Sequence, residues 1–219
     1  MKKTLVVCDV CDTLFDSNTT FDFIRFTLRR DDRFRFIILQ SISSRYSPLF
    51  YFMTFLGKIV GTDLIRVIGI FFLKNRREDQ LLDLANRFFD DYLVSRKNHL
   101  VFRLLEQQEG KIILLSSSIS PIVKVIASHY GFGFVSSELD FISSITTGKL
   151  STDLRGKKHI VLRKLIDDSD ININNLVAIS DNHSDYEMIK MANQRYVVIK
   201  SEKDKTFWKD LSPQFLLVK

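Results

Sequence analysis

CDVCDTL, residues 8–14, follows the apolar run Leu5, Val6 and Val7 and packs two cysteines and two aspartates into seven positions. A redox CxxC would sit at the start of a helix, where the N-terminus lowers a thiol pKa. Here Thr4 to Cys8 reads as a short buried strand, and residues i and i+3 on a strand point to opposite faces. The stretch fits a strand ending in a carboxylate, Asp9, better than a redox or zinc motif.

The pattern downstream of this strand sets the architecture. From Asp16 almost to Gly110 the apolar spacing is helical. Phe21, Ile24 and Leu28 share one face; Leu64, Ile65, Ile68 and Phe72 another; Leu81, Leu84, Ala85, Phe88 and Tyr92 a third. From Gly110 strands and helices alternate. We read a strand at 112–115, a helix from Pro121 to Gly131 and strand-like residues at 132–137. A hairpin over 139–147, closed near Thr147-Gly148, comes next. A helix follows Gly156, then a strand at 176–179, a helix at 185–193 and a last clear strand at 196–199. This order predicts an α/β fold: a doubly wound, Rossmann-like parallel sheet with an α-helical cap inserted after its first strand. The expected core is 1–17 with 96–219, and the expected cap is 18–95.

Open parallel sheets bind ligands beyond the carboxyl ends of their strands. Three strand ends here carry polar residues: Asp9; then Ser116, Ser117 and Ser118; then Asp181 and Asp185.

In these motifs the chain resembles the haloacid dehalogenase superfamily, in its phosphoserine-phosphatase-like branch, over most of its length. The first family motif, Asp-x-Asp-x-Thr after a strand, is matched by Asp9-Val10-Cys11-Asp12-Thr13-Leu14. The second, an apolar strand ending in Ser or Thr, is matched by IILLSSSISPIV with Ser116 in the key place. The third, a lysine opening a helix, is matched within GKKHIVLRKL by Lys158, with Lys157 as the alternative. The fourth, Asp-x-x-x-Asp, is matched by Asp181 and Asp185.

The resemblance implies a phosphatase. Asp9 would attack phosphorus and form an aspartyl-phosphate that water then hydrolyses. Mg²⁺ would be held by Asp9, Asp181 and the backbone carbonyl of Cys11, with Asp185 supporting the metal or holding the lysine. Ser116 and Lys158, with Ser117 and Thr13 beside them, would bind the phosphate.

One position departs from the family. Its phosphatases usually carry, two residues after the nucleophile, an aspartate that protonates the leaving group; this chain has Cys11 there and Asp12 one place later. Thr13 and Leu14 keep the frame on Asp9. Either Asp12 or Cys11 serves as the acid, or the leaving group needs none, or the protein binds phosphate and Mg²⁺ with lost or altered catalysis. Dehalogenases and phosphonatases of the superfamily also lack that aspartate, but dehalogenation has no use for the metal site of Asp181 and Asp185.

Composition limits the partners. With 45% hydrophobic and 26% charged residues among 219, the chain reads as folded. A net charge of +6 favours anionic partners. The resemblance implies a small phosphorylated substrate, and no nucleic acid is expected. The segment expected to form the cap is rich in Phe, Ile and Arg, in IRFTLRRDDRFRFIILQ, PLFYFMTFLGKIVG and LIRVIGIFFLKNRRE. That composition is similar to phosphatidylglycerophosphate phosphatases of the same branch. It suggests a phospholipid headgroup as substrate and a peripheral membrane contact through the cap. The apolar stretch at 47–57 is shorter than the roughly 18–20 residues of a spanning helix. With two cysteines and no signal-peptide pattern, a cytoplasmic setting is expected. The four histidines show no ligand spacing; only His183, between the motif aspartates, is expected near the pocket.

Overall fold

A computed structural model describes residues 4–168 and 176–218. Strand β1 (Leu5–Cys8) is followed by helices α1 (Thr19–Asp31), α2 (Arg33–Ser43), α3 (Pro48–Val60), α4 (Leu64–Phe71), α5 (Glu78–Phe88) and α6 (His99–Glu106). Then come β2 (Lys111–Ile119), α7 (Ser120–Tyr130), β3 (Gly133–Ile142), β4 (Ile145–Thr152), α8 (Lys158–Asp167) and β5 (Leu176–Ser180). The chain closes with α9 (Tyr186–Met191), β6 (Gln194–Ile199), α10 (Lys205–Trp208) and β7 (Gln214–Leu217).

The seven strands of the described residues form one sheet in the order β4-β3-β2-β1-β5-β6-β7. All neighbours are parallel except β3 and β4. Both faces are covered, which is why β1 is apolar at every position. Val6 and Cys8 face the core shared with α1, α5 and α7, while Leu5 and Val7 face the core under α8 and α9. Strand β1 lies between β2 and β5, where the direction of winding reverses. The crevice at its carboxyl end is the place such sheets reserve for ligands.

Local chemistry sets the helix starts between β1 and β2. Side-chain oxygens of Asn18, Asp32, Ser47 and Asp63 accept from backbone N–H groups in the first turns of α1, α2, α3 and α4. Pro48 opens α3 and a left-handed Gly61 closes it. Among the described residues no helix is long and apolar enough to cross a membrane.

Two sequence expectations need correction. The β3–β4 hairpin turns at Ser143 and Ser144, both left-handed at φ 49° and 62°, and not at Thr147-Gly148. Two consecutive left-handed residues make the tight turn that matches strand twist. Gly148 serves packing instead. A Cβ there would lie 3.1 Å from the Phe71 carbonyl oxygen and 2.8 Å from Lys74 Cβ, so its lack of a side chain lets β4 approach the end of α4. Beyond the last strand expected, β7 adds a parallel edge beside β6.

Candidate active site

Register brings the three polar strand ends together. Cys8 pairs with Leu114 on one side and Ile179 on the other, so Asp9, Ser116 and Asp181 lie one or two residues past the same rung. The Asp9 N–H donates to the Ile179 carbonyl at 2.9 Å, and Asp9 Oδ1 accepts from the Val10 N–H at 2.7 Å.

Lys158, at the start of α8, supplies the central cation. Its Nζ is 2.8 Å from Asp9 Oδ1 and 2.7 Å from Asp185 Oδ2, and its side chain is 4% exposed. Ser180 Oγ donates to the same Asp185 oxygen at 2.6 Å. Burial alone would lower the lysine pKa, but the charges of Asp9 and Asp185 reverse this and hold it above the ordinary value. Burial lifts the Asp9 carboxyl, and the Lys158 charge opposes that. Lys157, the alternative from the sequence, is exposed at the position just before the helix.

Thr13 ties the first loop to the last motif: its Oγ1 donates to Asp181 Oδ1 at 2.8 Å and accepts from the Asp181 N–H at 3.0 Å. Burial, and then the negative charge of Asp9, push the Asp181 carboxyl up to about 7. Asp181 thus adds a third carboxylate beside Asp9 and Asp185, which hold the single Lys158 ammonium between them.

That charge excess bears on a divalent cation. Asp185 Oδ1 is buried without a hydrogen-bond partner among the described residues. Among the described residues no three His, Cys, Asp or Glu side chains gather into a metal cluster. The donor set implied by the family pattern is a pair, Asp9 and Asp181, completed by a backbone carbonyl. Mg²⁺ is commonly bound by one or two carboxylates together with water and phosphate oxygens, so the residues fit.

Cys11 and Asp12 part company. The Cys11 sulfur lies 2.9 Å from Thr19 Oγ1, which donates to Ser118 Oγ at 2.8 Å; Thr20 Oγ1 is 2.9 Å from the same Ser118 oxygen. Burial, and then the Asp9 charge, raise the thiol to about 11, so it is neutral at physiological pH. Asp12 is left-handed at φ 52° and its carboxylate accepts from Lys200 Nζ at 2.7 Å; Asp16 lies 3.0 Å from the same nitrogen. To act as the acid, Asp12 would have to leave that lysine.

Ser116 is fully buried, and its Oγ accepts from the Ser118 N–H at 3.2 Å. Ser117 enters through its backbone. Arg66 Nη2, from α4, donates to the Ser117 carbonyl at 2.7 Å, to Ser137 Oγ at 3.3 Å and to Asp153 Oδ1 at 3.1 Å. Beside this clasp a cleft of about 1210 Å³ opens between α1–α4 and β4. Arg25, Arg45, Lys58, Arg66, Arg155 and Lys157 line it, along with apolar Phe21, Phe50, Met53, Ile65 and Ile70. His183 is exposed and stacks on Phe207 at 3.8 Å between ring centroids.

Sequence reasoning missed Ser180, Thr19, Asn98, Arg66 and Lys200. Lys200 follows the end of β6, so the strand-end rule that found Asp9 would also have found it. Asn98, which donates to the Thr13 carbonyl at 3.0 Å, left no such signal.

The fold and site together define a Rossmann-like α/β protein with a carboxylate–lysine site at the switch point of its parallel sheet. The profile of the haloacid dehalogenase-like hydrolases matches residues 6–190, and the chain belongs to that family. No curated protein matches the sequence. Among solved structures, a protein with unknown function from Bordetella pertussis Tohama I superposes with a TM-score of 0.75 at 13% identity, covering 99% of both chains. A phosphoserine phosphatase solved as a phospho-aspartyl intermediate analogue gives 0.60 at 17% identity, over 100% of this chain and 95% of that one. A cytosolic 5'-nucleotidase IIIB bound to cytidine gives 0.61 at 11% identity, over 98% and 80%. The fold is thus that of the phosphoserine-phosphatase-like branch.

Proposed function

We propose that the protein is a Mg²⁺-dependent phosphatase that hydrolyses a phosphomonoester through an aspartyl-phosphate on Asp9. The observation that carries this reading is the buried Lys158 ammonium shared by Asp9 and Asp185 at the meeting point of three strand ends. An Asp9 carboxylate oxygen bonds to phosphorus as the ester P–O bond breaks, and the leaving oxygen takes up a proton. Water then cleaves the aspartyl-phosphate, returning the carboxylate and releasing inorganic phosphate.

With a phosphoryl group on Asp9, the Lys158 ammonium would offset the added negative charge, and Ser116, on the neighbouring strand, would offer its hydroxyl. Asp185 and Ser180 hold the ammonium in place. Asp9, Asp181 and the Cys11 carbonyl would hold Mg²⁺, which when bound offsets the repulsion between carboxylate and phosphate. Residues 18–95 serve as the cap, and the basic, partly apolar cleft suits an amphiphilic phosphate such as a phospholipid headgroup. Free thiols at Cys8 and Cys11 accord with a cytoplasmic setting.

Turnover of an aryl phosphate tests the chemistry, because its good leaving group tolerates a weak acid. We expect activity that chelation abolishes and Asp9→Asn removes; no turnover above that variant would refute the proposal. A second reading has its own observation: the hydrogen-bonded neighbours around the neutral Cys11 thiol are hydroxyls, so the site would bind phosphate and Mg²⁺ with little turnover. Ordinary enzymatic rates in the unmodified protein would exclude it.

A further inference from the structure

Residues 33–62 contain Arg33, Arg35, Arg45 and Lys58 and no Asp or Glu, in a chain that has 26 acidic residues. They form α2, the following turn and α3, and all four cations are exposed. Nine of the nineteen large apolar side chains that stand exposed among the described residues belong to this segment. Phe34 is 73% exposed, Phe52 57%, Phe55 62% and Ile59 67%, while Tyr46, in the turn between the helices, is 100% exposed. On α3 only Gly57 is buried. Hydrophobic burial therefore leaves this helix's outer face without a partner among the described residues, and contiguous apolar patches of this kind mark contact surfaces.

We propose that the outer face of α2 and α3 docks on a membrane surface rich in anionic lipid. Three features select this occupant. Arg35 is ion-paired with Asp32 at the start of α2, but a second copy of the same face would still bring Arg33, Arg45 and Lys58 of each copy together, so self-association is opposed by charge. At 13 residues α3 is about 20 Å long, too short to cross a hydrocarbon core of about 30 Å, so it would lie along the interface. Phe, Tyr and Ile exposed along amphipathic helices, with Arg and Lys interspersed and no acid, are the side chains that enter the boundary between headgroups and acyl chains. Lys58 and Arg45 also line the basic cleft, so docking would set the cleft beside the lipid phosphates.

The proposal is independent of the chemistry at Asp9, because docking is read as protein mass on vesicles. The experiment is co-sedimentation of the full chain with vesicles of phosphatidylcholine alone and of phosphatidylcholine mixed with phosphatidylglycerol. We expect at least ~10-fold stronger binding to the mixed vesicles, since each basic residue near an anionic surface contributes a factor of roughly five. Added salt should weaken it. Phe52→Ser with Phe55→Ser should lower binding by about tenfold or more, with aryl-phosphate turnover in lipid-free buffer and the melting temperature unchanged. Asp9→Asn should bind like the unmodified protein, so failure of the catalytic reading leaves this test intact. Four results would overturn the proposal: no sedimentation with mixed vesicles; equal binding to both vesicle types; binding that the double variant leaves unchanged; or a dimer, seen by light scattering, that the double variant breaks. Retention on polyglutamate without vesicle binding would overturn it too, assigning the face to an acidic protein.

Discussion

Replacing Lys158 by Met keeps most of the side-chain volume and removes the charge. Asp9 and Asp185, 4% and 1% exposed, then lose the ammonium that lies 2.8 and 2.7 Å from them. Breaking a buried ion pair from one side costs about 3–5 kcal/mol, because the remaining charge stays buried and uncompensated. In a chain of this size each kcal/mol moves Tm by about 2–4 °C, so a drop of roughly 6–20 °C is expected at neutral pH in a chelator. The loss should depend on pH with a definite sign. Burial already lifts the Asp9 carboxyl, and the variant loses the Lys158 charge that opposes the lift. Its folded state then holds a proton that the unfolded chain releases near pH 4, so the variant's stability falls as pH rises above that value. Urea denaturation of both proteins at pH 5 and pH 8 should show a smaller deficit at pH 5. A deficit below about 1 kcal/mol, or one equal at both pH values, would refute the buried ion-pair argument.

Cys11→Asp should raise turnover of an alkyl phosphate by about 10² to 10⁴, and of an aryl phosphate by much less, because only the poor leaving group needs a proton; equal gains would count against the acid role of that position. Alkylation of Cys11, followed by peptide mass spectrometry, should be slow at pH 8 and climb about tenfold per pH unit toward pH 10, as expected of a thiol raised to about 11. A rate already level at pH 8 would contradict this. Arg66→Ala strips the Ser117 carbonyl and Asp153 of a shared donor and should cost about 1–3 kcal/mol in urea denaturation; a change below the error of the extrapolation would show that the clasp carries no stability.

The order of elements and the two aspartate motifs were legible because local periodicity carries them. A buried parallel strand is apolar at every position, and the residue after it falls at the ligand crevice whatever the rest of the chain does. Asp9 and Asp181 come from that rule, whereas Ser116, inside β2, and Asp185, in the turn beyond β5, come with the motif spacing. The hairpin turn was misplaced because Thr147-Gly148 looks like a turn, while Gly148 is needed for close approach to α4, a contact between residues far apart in sequence.

What the sequence by itself determined is thus the succession of strands and helices and the polar residues that stand near the carboxyl ends of the strands, since both follow from patterns a few residues long. The choice of Lys158 over Lys157 as the buried ammonium is different in kind. It depends on which side chain α8 turns toward β1 and β5, and adjacent helical residues point about 100° apart. The capture of Asp12 by Lys200, 188 residues away, and the row of hydroxyls beside Cys11 are likewise products of packing between distant segments. Only the tertiary structure could place those groups. It leaves Asp9 with a buried cation and Cys11 with a neutral wall because burial and opposite charge act through space, and sequence spacing does not report either.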